Sequence, residues 1–175
     1  MMPNGRTLAA ERFLQTLEIV YREGKHLAYS WGRLYSEPID VEWTEKLETR
    51  PELAERLEAY LSRFGRMQDT MGGKLLPRWL TVLAEVPGSQ IETLNRAERL
   101  DVLESAEQWL AARYLRNRLI HEYMEQAERF TEDLLLAKEY SRLLIETYNR
   151  IREYALTRMD LDAIRVPGRL RLPSA

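Results

Sequence analysis

Apolar residues recur along this chain at spacings of three and four, and the breaks between these stripes mark its elements. From about Thr7 to Ser36, Phe13, Leu14, Leu17, Val20, Leu27, Trp31 and Leu34 keep that rhythm, which predicts one long amphipathic helix. Gly24 weakens it slightly, and Glu37-Pro38 ends it. A short turn of helix is expected around Trp43. Thr49-Arg50-Pro51-Glu52 has the early proline and the spacing of a capping box, so it reads as a helix start. The stripe Leu53, Leu57, Tyr60, Phe64, Met67, Met71 follows. Gly72-Gly73 should bend or interrupt it. Leu76, Leu80, Leu83 and Val86 carry a further stripe, and Pro87-Gly88-Ser89 is the clearest loop.

Beyond that loop, Asn95 or a neighbour is expected to cap a helix with Val102, Leu103, Ala106 and Leu110 on its apolar face. A loop is expected over Glu125 to Phe130, because Thr131-Glu132-Asp133 resembles a fresh N-terminus. Leu134, Ala137, Leu144, Tyr148, Ile151 and Ala155 mark a last long helix. No strand alternation is evident. The pattern predicts an all-α, antiparallel up-and-down bundle of four to five main helices, forming one domain over residues 1–160. Residues 161–175 are left as a tail. Its Arg165, Arg169 and Arg171 could meet a phosphate backbone, but a mobile end is the default expectation.

Composition narrows the function without naming it. The 175 residues are 45% hydrophobic and 31% charged, with a formal net charge of −2. That is enough chain for one substantial core. The near balance of charge gives no global nucleic-acid footprint, so any RNA contact must be a local patch. With no cysteine, thiolate metal sites and disulfides are excluded, in keeping with a cytoplasmic location. The first residues lack the apolar core of a signal peptide, and no apolar run approaches the ~20 residues of a membrane span. There is no Walker loop, no His-Glu-x-x-His and no pair of Glu-x-x-His segments. No metal ligand set and no cofactor are therefore expected.

One segment concentrates polar chemistry: Arg116-Asn117-Arg118-Leu119-Ile120-His121-Glu122-Tyr123. Ser105, Trp109, Arg113, Asn117 and His121 form a row at i, i+4, so Asn117 can hydrogen-bond His121. Arg116 precedes His121 by five residues, which at ~100° per residue sets the two ~140° apart. They could meet through a bend, through the long arginine side chain, or across two copies of the chain. The other histidine, His26, stands alone among charged neighbours and is given no catalytic role. On residue types alone, His121 and Asn117 are ordinary helix polarity.

Arg116-x4-His121-x-Tyr123 resembles the signature of the HEPN superfamily, and more narrowly that of HepT-like toxins and nucleotidyltransferase substrate-binding proteins. Asn117 fits the usual Arg-Asn pair. Ser105 to Leu110, leading into Arg113, resembles the approach to that motif, and Arg66 to Gly72 resembles part of the second long helix. The resemblance covers roughly residues 50 to 155 and is weaker over the N-terminal helix.

The resemblance implies a metal-independent endoribonuclease toxin of a HEPN/MNT-type toxin–antitoxin pair. RNA supplies its own nucleophile, the 2′-hydroxyl. His121 would take or give the proton, since imidazole titrates nearest neutral pH. Arg116 would hold the scissile phosphate, and Asn117 would orient the imidazole or bind phosphate. Implied too are a homodimer with motifs sharing a cleft, an RNA substrate such as tRNA, and an MNT-type nucleotidyltransferase that adenylylates Tyr123. Arg113 and Arg118 would extend the positive cleft, with Asp69 and Arg66 as further polar neighbours. The alternative is a non-catalytic nucleotide- or substrate-binding partner of a minimal nucleotidyltransferase. A third reading is an inert helical dimer that keeps the motif as packing.

Overall fold

The computed structural model describes residues 5–121 and 125–174. Its elements are α1 (Gly5–Leu34), α2 (Val41–Glu45), α3 (Pro51–Thr70), α4 (Leu76–Val82), α5 (Gln90–Arg99), α6 (Ala106–His121) and α7 (Ala127–Arg158). No strand occurs among the described residues, and none of their helices is long and apolar enough to cross a membrane. The protein is all-helical.

The stripes become one core. α1 lies along α3, and α6 lies along α7. Trp31, Tyr60, Trp79, Trp109 and Tyr148 are all buried among the leucines. Burying each such large side chain contributes on the order of 1.5–3 kcal/mol. Some of the polar groups drawn inside tie helices together. The Tyr60 hydroxyl donates to Ala137 O at 2.9 Å and is 2.6 Å from Ser141 Oγ, tying α3 to α7. Burial pushes its pKa up to about 12.

Local signals decide most helix starts. The Asp40 carboxylate accepts from Trp43 N at 2.8 Å and begins α2. Pro51 stands in the first turn of α3, where its missing N–H costs nothing. The expected capping box there does not form: Thr49 Oγ1 donates to Lys46 O at 3.3 Å, and Arg50 Nε bonds Glu52 Oε1 at 2.7 Å. At Gly72-Gly73 the helix is not interrupted. A π-helical turn, Met71–Leu75, carries α3 into α4. Gly72 is buried there, and a Cβ would fall 2.9 Å from Gln90 Nε2. Ser89 Oγ accepts from Glu92 N at 3.2 Å and caps α5.

Two boundaries correct the sequence reading. Asn95 does not cap the motif helix, because it lies within α5. Ser105 does, its Oγ accepting from Gln108 N at 3.1 Å. The loop expected over Glu125 to Phe130 is mostly helix, since α7 begins at Ala127. Thr131 is no cap. Its hydroxyl is buried 2.6 Å from Thr44 Oγ1 and lies 2.7 Å from Ala127 O, fastening α7 to α2. The tail is also not the loose end expected of it. Leu170 is buried, and the segment after α7 lies against α1 and α7.

Candidate functional site: the Arg116 groove between α3 and α6

The described part of the motif, Arg116 to His121, falls on the last two turns of α6. Leu115 and Leu119 are buried and fix the rotation of the helix. That rotation sends Arg116 toward α3, where it crosses Gly65. A Cβ on Gly65 would lie 2.8 Å from Arg116 Cδ and 2.7 Å from its Nη1. Only a residue without a side chain allows so close an approach.

The guanidinium then finds two partners. Nη1 donates to Asp69 Oδ2 at 3.0 Å, and Nη2 donates to Asn117 Oδ1 at 3.3 Å. The Arg116 side chain is only 15% exposed, whereas Asp69 is 59% exposed. Arg116 Nε is buried without a hydrogen-bond partner. The cation therefore sits half-sunk at the edge of an open groove lined by Leu61, Ser62, Gly65, Arg66, Thr70 and Ile120. On the α1 side, Thr70 Oγ1 donates to Glu23 Oε2 at 3.0 Å. Burial raises the Glu23 pKa, against the opposing pull of the Thr70 hydrogen bond and of Arg66 and Lys74.

The other expected site residues disperse around α6. Asn117 turns its amide oxygen to Arg116 rather than to His121. His121 ends α6 and is exposed, in the last turn, where the helix dipole favours positive charge. Arg113 Nη1 donates to Gln90 Oε1 on α5. Arg118 forks onto Asp133 of α7, with Nε to Oδ2 at 3.3 Å and Nη2 to Oδ1 at 3.2 Å. Within one chain these arginines thus serve three different neighbours. Arg66 is exposed at the groove. Tyr123 lies outside the described residues. His26 is exposed, and its carbonyl accepts from Arg63 Nη1 at 3.3 Å.

Sequence reasoning missed Gly65, Gln90, Asp133 and Glu23. Gly65 did carry a signal, an isolated glycine inside a well-formed helical stripe. The others are ordinary polar residues whose partners are remote in sequence, and nothing local singles them out.

Chemically, the groove presents a planar two-pronged cation over a shallow surface, with a carboxylate as its present occupant. A phosphate could take the same prongs, in competition with Asp69. No family model, characterised protein or solved structure matches this chain.

Proposed function

We propose that the chain is a metal-independent endoribonuclease toxin of the HEPN/MNT type, acting as a homodimer with its motifs in a shared cleft. The observation that carries this reading is the placement of the motif's described residues. Arg116 and Asn117 meet at an open groove, and His121 stands in solvent on the same helix. The packing of α1 on α3 and of α6 on α7 supports the finer reading of an antiparallel, HEPN-like bundle. In the reaction, His121 removes the 2′-hydroxyl proton and the 2′-oxygen attacks phosphorus. The 5′-oxygen leaves and is protonated, and a 2′,3′-cyclic phosphate remains. Arg116 holds the non-bridging oxygens as their charge grows. Tyr123 is the adenylylation site for a cytoplasmic MNT-type partner, because adenylate beside the phosphate site would add bulk and negative charge.

A specific feature favours the second reading, a non-catalytic nucleotide- or substrate-binding partner of a nucleotidyltransferase. Arg116 is already engaged by Asp69, so a ligand must displace a bound carboxylate. Cleavage of a tRNA pool, with chemical analysis of product ends, separates the two. His121→Ala should lower cleavage by about 10²–10⁴-fold with the helical fold retained, and His26→Ala should leave it unchanged. Equal cutting by wild type and His121→Ala would defeat the nuclease reading. If neither cuts but both bind nucleotide or the transferase, the accessory reading replaces it.

A further inference from the structure

The segment after α7 is held in a way that loose termini are not. Beyond the 3-10 turn Ala163–Arg165, its described residues form no further helix or strand. Yet side chains from two adjacent turns of α7 read its backbone. Arg152 Nε donates to Pro167 O at 2.6 Å, and the Tyr148 hydroxyl donates to Gly168 O at 2.8 Å. Asn149 does both jobs of a neighbouring strand: its Nδ2 donates to Leu170 O, and its Oδ1 accepts from Leu170 N, each at 2.9 Å.

α1 supplies the other wall, and its glycines shape it. A Cβ on Gly24 would overlap Leu170 Cδ1, so the absence of a side chain makes the notch that Leu170 fills. Eight residues further along α1, a Cβ on Gly32 would lie 3.0 Å from the Pro173 ring. Along this stretch Arg169 and Arg171 are exposed, while Leu170 is buried and Leu172 partly so. That alternation is the period of an extended strand. Charge agrees with the seating: Arg165 bonds Glu11, and Glu18 acts on the same cation. α1 and α7 also contact each other directly.

We propose that the α1–α7 groove is a peptide-recognition site for an extended Pro-Gly-x-Leu segment, and that residues 166–173 are its separable ligand. Main-chain hydrogen bonds supply affinity, and the notch over Gly24 supplies the choice of leucine, the division of labour found where grooves bind extended peptides. This claim is independent of the ribonuclease reading, since it requires no motif residue.

The test unseats the tail and returns it as a separate molecule. Leu170→Asp puts a carboxylate where the apolar notch cannot accept it. A fluorescein-labelled peptide of residues 163–174 should bind this variant saturably in the micromolar range. Adding Asn149→Ala should weaken binding by about tenfold, for two hydrogen bonds lost, and a peptide carrying Leu170→Asp should not bind. A variant with wild-type helical circular dichroism that fails to bind the peptide overturns the proposal. So does binding indifferent to both substitutions. If Leu170→Asp does not fold, a protease site introduced between Asp160 and Asp162 of the otherwise wild-type chain gives the same complex. The cleaved tail should then exchange with excess labelled peptide. Loss of fold on cleavage, or retention without exchange, counts against a separable ligand.

Discussion

At Gly65 the missing side chain of one helix makes room for the arginine of another. The atoms that a Cβ would meet are the far end of a flexible side chain, so Gly65→Ala need not disturb the core. Alanine also favours a helix interior by about 1 kcal/mol over glycine. The expected outcome is a melting temperature equal to or slightly above that of wild type, with Arg116 lifted off Asp69 and RNA cleavage reduced. A loss of both stability and activity would mean that the Gly65 contact is structural. Asp69→Asn acts on the other side of the pair. The carboxylate end of the pair is 59% exposed and Asn117 still accepts from Arg116, so the cost to stability should stay within about 1 kcal/mol. The carboxylate that competes for Arg116 is gone, so binding of a short RNA at low salt should tighten by up to about fivefold. Weaker binding would reassign Asp69 as the group that aims the guanidinium. The motif itself was legible in the sequence. Its pairing was not, because Asp69 and Arg116 lie 47 residues apart and only the packing of α3 on α6 joins them.

Among the elements, the stripes located α1, α3 and α7 because burial imposes their three-four spacing. The errors fell where a polar side chain had a remote partner. Thr131 looks like a helix cap, yet its hydroxyl faces Thr44 across the α2–α7 contact. Ser105, with Gln108 three residues on, carried the spacing of a capping box, and the structure uses that serine to start α6. The tail gave no local signal, since its backbone is paired by side chains of α7. A pH prediction belongs to the α3–α7 contact. Burial raises the Tyr60 hydroxyl to about 12, and burial also raises Tyr35 and Tyr148. The unfolded chain releases these protons first, near ~10, so it binds fewer protons than the folded chain above that pH. Their contribution to stability is complete below pH ~10 and is lost as pH climbs from there through the folded value. Urea midpoints should therefore fall between pH 9 and pH 12, and Tyr60→Phe should flatten part of that fall. An unchanged slope in Tyr60→Phe would show that the alkaline loss arises elsewhere.

For the whole molecule, the question is whether one chain can make a complete site. Arg116 turns inward to α3, and His121, five residues on, stands in solvent. A helix keeps such residues ~140° apart, and α6 is α-helical throughout from Ala106 to His121. Twofold pairing is the commonest way for one surface to meet another copy of itself. In a composite site, the arginine of one chain would serve the histidine of its partner. Mixing two inactive chains tests this directly. Take Arg116→Ala and His121→Ala, unfold them together and refold them as a mixture. Half of randomly assorted dimers are mixed, and each mixed dimer has one site with both groups intact. Activity should return to about a quarter of wild type under twofold pairing. Sites confined to single chains give no recovery, because every site then lacks one of its two groups. Light scattering on the same mixture supplies the control. A monomer at micromolar concentration, with no recovery, would remove the shared cleft and leave His121 without its arginine.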